Sequence, residues 1–380
     1  MVKQNKINLF SPGFGTHPAT FLGRRAILSA LNSVVQGEDN SVFRRTLISG
    51  VRGVGKTTLL NEADKVLTKS GAIVVTQTSS PLLGRHLLRA LAAHIDPLEL
   101  QGMEFTVNLG IISGKVDLKN QKNTTPDIYL DGVNLLDAIN AKSRWIVFQI
   151  DEVHGHVEAV HEFAKAFQQW LSNGYKVMLV MAGLPDELHA LLNGQSVSFL
   201  RRAKQVGLAP IQNVDEITAM YTNEFKQSGK EIKLVDAKQL AEISEGYPYL
   251  IQLLGYYAWE QTNLNGTFSA TELNDVYALA KRDMYASVFD LLFQNKSQND
   301  IAYMRAIGEV MNDGVASTSD AAKAWGKTIQ YASMYRKRAI DSALISADEY
   351  GKISFTIPME INYINDMAAG KVVSSKEVMD

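Results

Sequence analysis

Gly50-Val51-Arg52-Gly53-Val54-Gly55-Lys56-Thr57 satisfies the spacing G-x-x-x-x-G-K-[ST], with Thr58 directly after it. The chemistry explains the spacing. Glycines let consecutive backbone amides curl around a polyphosphate, and the helix that follows points its positive N-terminus at the same charge. Lys56 then reaches the β- and γ-phosphates, and the Thr57 hydroxyl is a ligand for Mg²⁺. An apolar strand, Thr46-Leu47-Ile48-Ser49, runs straight into Gly50, and an amphipathic helix begins at Thr57, so the motif sits in the context this chemistry needs.

A second run, Trp145-Ile146-Val147-Phe148-Gln149-Ile150-Asp151-Glu152, is a buried-strand pattern ending in two carboxylates. In a nucleotide hydrolase such a pair divides the labour: Asp151 stands by the metal and Glu152 polarises the attacking water. Taken alone, an acidic pair is equally a strand-end turn. His154 and His156 follow, but two histidines at that spacing need further ligands before they can hold zinc, and they read as surface residues.

These groups must be positioned by an alternation of helix and strand. A helix over 24–36 precedes the first strand. A helix from Thr57 to Lys69, a strand over 72–76, helices over 81–94 and 128–141, a strand over 145–150, a helix over 157–173 and a strand over 177–181 follow. Such alternation predicts a parallel sheet with helices on both faces. Between them, residues 100–127 show period-two alternation around Ser113-Gly114 and read as a hairpin-like insertion. Beyond Pro210 the strands vanish into helices over 214–227, 237–245, 248–262 and 270–293, the last opening on a Ser269/Glu272 capping box. From Ser297, helices over 298–311, 319–325 and 330–344 lead into a strand pair, 345–347 and 352–357, turning at Tyr350-Gly351. That is a winged-helix pattern.

The organisation that emerges is an α/β P-loop NTPase domain over 1–210, an α-helical lid over 211–295, a C-terminal winged helix over 296–368 and a polar tail over 369–380. Its 380 residues suit two or three domains at about 150 residues each. There are no cysteines, which excludes disulfides and thiolate chemistry. The N-terminus shows no signal-like apolar stretch and no apolar run reaches a membrane-spanning length, so a cytoplasmic protein with no membrane partner is expected. With a net charge of -2, any contact with nucleic acid must come from a local patch. Residues 321–340 supply one, with Lys323, Lys327, Arg336, Lys337 and Arg338 and no acidic residue. Gln330 on the same helix and Lys352 on the wing complete the candidate double-stranded-DNA-binding set. Tyr331 and Tyr335 interleave at helical spacing and read mainly as core. The other reading of the patch is a solvated face or a docking surface for protein.

With both phosphate motifs in place the chain resembles an AAA+-type ATPase, most of all the archaeal and bacterial group between origin-recognition ATPases and STAND signalling NTPases. Phe21-Leu22-Gly23-Arg24 resembles the F-x-G-R box of that group, which implies that Phe21, Gly23 and Arg24 line the adenine pocket. Gly246-Tyr247-Pro248-Tyr249 resembles the G-x-P segment of the helical lid, which implies nucleotide contacts from Gly246 and Pro248. Arg201 and Arg202 stand where relatives often carry an arginine acting on the γ-phosphate, in trans if subunits assemble. Each segment also has a plainer reading: helix-entry packing, a helix stop with Pro at the first turn, or surface arginines.

Two departures bear on rate. The strand over 177–181 runs into Ala182-Gly183 with no polar sensor residue, and Gly246–Tyr249 carries no arginine. The resemblance therefore implies ATP and Mg²⁺ as cofactors and slow turnover, as in a molecular switch. ATP would tie lid to core, and hydrolysis would reorient the winged helix on DNA. The alternative is a STAND-like regulator whose output is ATP-dependent self-association or protein–protein association.

Overall fold

The computed structural model describes residues 7–13, 15–37, 40–100, 103, 105, 127–153, 155–193, 195–262, 270–347 and 349–371. The hairpin expected at 100–127, His154, Ser269 of the expected capping box and the tail beyond Lys371 lie wholly or almost wholly outside these residues. The chain divides into two compact units. One contains 24–50 and 56–208; the other contains the described residues of 1–23, 51–55 and 209–380.

The first unit is built on a five-stranded parallel sheet. Its elements in chain order are α1 (Arg25–Val35), β1 (Arg45–Ser49), α2 (Lys56–Lys69), β2 (Ile73–Thr78), α3 (Leu83–Ala92), α4 (Pro97–Leu100), α5 (Ile128–Ala138), β3 (Ile146–Asp151), α6 (Val157–Ser172), β4 (Val177–Gly183), α7 (Pro185–Leu192), a 3₁₀ turn (Gln195–Arg202) and β5 (Lys204–Gly207). The strand order is β2-β3-β4-β1-β5. Strands β3 and β4 are buried along their whole length, as expected of central parallel strands. Alternate residues, among them Leu47, Val75, Phe148 and Leu179, turn towards the core formed with α3, α5 and α6. On the other face α2 packs along β2, β3 and β4, with α1 beside it.

Register sets the working end of the sheet. Leu47 and Ile150 both pair with Met181, one from each side. Gly50 and Asp151 therefore leave the sheet at the same edge, flanking β4. Sequence periodicity missed β5, because Lys204-Gln205-Val206-Gly207 is an exposed edge strand with little apolar signal.

The second unit is helical: α8 (Val214–Gln227), α9 (Leu234–Ile243), α10 (Pro248–Gln261), α11 (Ala270–Met284), a π-helical turn (Tyr285–Phe289), α12 (Asp290–Phe293), α13 (Gln298–Val310), α14 (Thr318–Ala324), α15 (Ile329–Asp341) and α16 (Glu360–Ala368). Three short strands, β6 (Ala316–Ser317), β7 (Ile345–Ser346) and β8 (Lys352–Phe355), form an antiparallel sheet in the order β6-β8-β7. Three helices and a strand pair match the sequence pattern; β6 and α16 add to it. Helix α16 is fastened to the long helix, since Asp366 accepts from Lys281 Nζ at 2.8 Å and Tyr285 Oη at 2.9 Å. Tyr363 Oη donates to Asp290 at 2.7 Å.

The N-terminal lead-in belongs to this helical core. Phe10 is buried against Tyr221 and Phe225, in the space left by Gly255. Glu224 of α8 is fully buried. Burial pushes its carboxyl up to about 7, with Thr20 pulling in the opposite direction. Its folded value lies above the unfolded one, so the fold holds a proton that the unfolded chain releases. Stability therefore falls as pH rises from 4.5 to about 7. Glu224→Gln is expected to flatten that slope and to raise the melting temperature at pH 8 relative to the parent, as read from thermal melts at a series of pH values.

Candidate functional site

In the sheet unit the loop after β1 meets the end of β3. Lys56 Nζ donates to the Gly50 carbonyl at 2.8 Å, folding the ammonium back over its own loop. Thr57 Oγ1 donates to Asp151 Oδ2 at 2.6 Å. The other oxygen of Asp151 accepts the Glu152 amide at 2.9 Å, so both carboxylate oxygens are held although they are 94 residues away from Thr57 in sequence. Glu152 is exposed at φ 51, the left-handed region, a position that costs about 1–3 kcal/mol for a non-glycine side chain. Strand β3 thus ends in a buried carboxylate and an outward one set apart by backbone conformation.

A hydroxyl and a carboxylate side by side are hard oxygen donors of the kind Mg²⁺ takes, and the ammonium beside them suits a phosphate. The residues fit the group. Among the described residues there is no cluster of three or more His, Asp or Glu able to hold another metal. His156 is half-buried at the start of α6.

The apex of the loop, Val51–Gly55, belongs to the helical unit. Gly53 (φ 76) and Gly55 (φ 93) adopt conformations that L side chains rarely reach, while Val54 is buried. Two residues at the start of α10 hold the apex. Tyr247 Oη donates to the Arg52 carbonyl, and the Tyr249 amide donates to the Gly53 carbonyl at 3.2 Å. Burial pushes the Tyr247 phenol well above its ordinary range, so it stays a donor. Nothing local to Tyr247 in the sequence marks this contact, because its partner lies 195 residues away. Thr58, next to Thr57 in α2, is half-buried.

The other sequence-derived candidates are placed as follows. Gly23 (φ 68) donates its amide to Glu216 Oε1 at 3.3 Å, and Phe21 is half-buried. Burial depresses the Arg24 guanidinium where it precedes α1. Gly246 (φ 71) accepts the Ile211 amide at 2.8 Å, and Pro248 is the first residue of α10. Both residues therefore have a structural role as helix stop and start. Arg201 donates from Nε to the Leu192 carbonyl at 2.9 Å, steadying the C-terminal end of α7; its neighbour Arg202 is exposed. Strand β4 runs two residues beyond the expected 177–181 and ends in buried Ala182 and Gly183, neither of which carries a polar side chain.

On the C-terminal module, Lys323, Lys327, Gln330, Lys337 and Arg338 are exposed. So are the apolar side chains of Ile329, Tyr331 and Met334 on α15. Arg336 departs from the expected face. It is half-buried, and its Nε is shielded without a hydrogen-bond partner among the described residues. Helical phase accounts for this, since Arg336 lies next to buried Tyr335 and four residues from buried Ala332. Lys352 on the wing is exposed but paired with Glu349, and Arg338 lies over Tyr335 with Asp300 at 3.7 Å. Tyr335 is core; Tyr331 is exposed while touching Trp325.

A Cβ at position 246 would lie 2.0 Å from the Ile211 carbonyl oxygen, in a backbone region only glycine enters cheaply. Gly246→Ala is expected to destabilise the protein by at least about 2 kcal/mol, seen as a fall of several degrees in melting temperature.

Residues 20–180 match the family model described as AAA ATPase domain, and residues 286–364 match a domain of unknown function, DUF8462. No curated protein matches the chain. Among solved structures, the Walker-type ATPase of Pyrococcus abyssi is similar at a TM-score of 0.61 and 15% identity, over 94% of this chain and 99% of that one. The ORC2 protein of Aeropyrum pernix, solved as ADPNP–ADP complexes, is similar at a TM-score of 0.61 and 11% identity, over 95% of this chain and 97% of that one. The fold is that of a P-loop NTPase with a C-terminal helical region. Residues 20–180 form its AAA-type, nucleotide-binding ATPase domain.

Proposed function

We propose that the protein is a slowly hydrolysing ATP switch that couples nucleotide state to binding of double-stranded DNA through the C-terminal module, read here as a winged helix. The observation that carries the first half is the 2.6 Å contact between Thr57 and Asp151, beside Lys56, at the end of a parallel sheet. That neighbouring fold, the Aeropyrum pernix ORC2 protein, was solved with ADPNP and ADP, which supports an adenine nucleotide here.

In this reading the amides of Gly50–Thr57 surround the phosphates and Lys56 neutralises their charge. Thr57 and Asp151 would hold Mg²⁺, which would offset the negative charge of the polyphosphate. Glu152, outward and solvent-facing, takes the proton of the water that attacks the γ-phosphorus as the bond to the bridging oxygen breaks and ADP leaves. Phe21, Gly23 and Arg24 border the base, and Gly246 and Pro248 approach from the lid. The missing polar group on β4 and the missing lid arginine both favour slow turnover. Arg201, already engaged with a helix end, and exposed Arg202 are the candidates for charge supplied in trans.

The exposure of Lys323, Lys327, Gln330 and Lys337, with Ile329 and Met334 exposed among them in sequence, supports DNA as the partner. The same apolar groups would serve a protein partner, which is the alternative.

Lys56→Ala is expected to lose ATP binding in calorimetry, whereas Glu152→Gln should bind ATP like the parent and hydrolyse it at least about 100-fold more slowly. Parent-like turnover by Glu152→Gln would remove it from the mechanism. Lys337→Ala is expected to weaken random-duplex binding regardless of sequence and to reduce the salt slope by about 1. An absence of duplex binding by the parent at low salt, with and without ATP, would leave the protein-association reading.

A further inference from the structure

We infer that Tyr247 is a positioning residue for the nucleotide: with the first turn of α10, its hydroxyl orients the peptide planes of the phosphate loop's apex. The inference deepens the nucleotide-binding reading above and rests on it.

The reasoning starts from peptide geometry. In a planar trans peptide the carbonyl and the following amide point in opposite directions. The Arg52 carbonyl is held by Tyr247 Oη, so the Gly53 amide is turned away from α10. The Gly53 carbonyl is held by the Tyr249 amide at 3.2 Å, so the Val54 amide is turned the same way, where it also closes a 3.4 Å turn onto Val51. Two consecutive carbonyls on one side leave two consecutive amides on the other, and that is the arrangement that cradles an anion. The Tyr249 amide belongs to the first turn of α10, where amides point out of the helix end and can be spent on another segment.

The fit is close. A Cβ on Gly53 would lie 2.6 Å from Tyr247 Oη and 3.0 Å from Tyr249 Cβ. Glycine at this position therefore admits the tyrosine as well as supplying φ 76. Tyr247 is fully buried, so its hydroxyl has few alternatives to the loop carbonyl. Tyr249 is half-buried, and Ser287 in the π-helical turn is among the groups that act on its phenol. Those π-helical residues open the stretch that matches the domain of unknown function. The apex of the phosphate loop is thereby joined through Tyr247 and Tyr249 to the start of α10.

The test is calorimetric titration of Mg-ADP and Mg-ATP into the full chain, with KM and kcat for ATP hydrolysis alongside. Tyr247→Phe keeps the ring and removes only the donor. It is expected to weaken ADP and ATP about two- to tenfold, the worth of one hydrogen bond, and to raise KM by the same factor while kcat stays within about twofold. A merely structural role would lower active protein and kcat without moving Kd. Ser287→Ala, in a half-buried helical position that tolerates alanine, is expected to act in the same direction and more weakly. It decides the matter if Tyr247→Phe does not fold. Lys56→Ala runs as the control. Parent-like affinity in both Tyr247→Phe and Ser287→Ala, with binding lost in Lys56→Ala, overturns this inference and leaves the nucleotide reading standing. No binding by the parent overturns both.

Discussion

The hydrogen bond from Thr57, in the first turn of α2, to Asp151, at the end of β3, joins elements that follow strands which are not neighbours in the sheet. Strand β4 lies between β1 and β3, and its residue Met181 is the common rung that levels them. If β4 were shorter, or shifted by one residue, the hydroxyl and the carboxylate would miss each other by several ångström, since each residue of strand advances about 3.3 Å. The complete burial of β3 and β4 is thus more than core formation. It fixes the height at which an acid and a hydroxyl face one another, and one-residue slippage would turn Phe148 and Leu179 out of their core.

The two carboxylates at the end of β3 show how backbone conformation separates roles that composition leaves equal. Asp151 is buried and each of its oxygens accepts one donor, a setting in which it stays oriented. Glu152 is exposed and placed at positive φ. Strain of this sort persists only where neighbours enforce it, and here the flanking residues do so. The Ser79 amide takes the Asp151 carbonyl at 3.1 Å, and the Val153 amide donates to Ala182 at 3.1 Å.

Local signals carried the parallel sheet, the phosphate loop and the acidic strand end, because each is a short run of fixed spacing whose environment is written beside it. Strand β5 was illegible: four residues on an exposed edge carry no apolar period. Helix α16 was missed because its anchor points, Asp290, Lys281 and Tyr285, are remote in sequence. The arginines teach the converse. Nothing in Leu200-Arg201-Arg202 announces that Arg201 spends its Nε on a helix end. Nor does the run Arg336-Lys337-Arg338 reveal that the first member faces inward while the other two face out. Contact with the loop apex by Tyr247 belongs to the same class, being a tertiary fact with no local mark.

The contacts of Asn8 and Phe10 constrain how the chain folds as it is synthesised. Asn8 bonds Tyr256 and Glu260, up to 252 residues away, and Phe10 fills the gap beside Gly255. The helical unit is consequently made from segments that flank the sheet unit in sequence, with most of the sheet unit emerging between them. At ribosomal speeds of about 5–20 residues per second, the lead-in waits more than ten seconds for its partners. The sheet unit, continuous but for five loop residues, can fold during that interval. Order of assembly is therefore inscribed in the topology: the sheet first, and the helical unit only when the growing chain returns to meet Asn8 and Phe10.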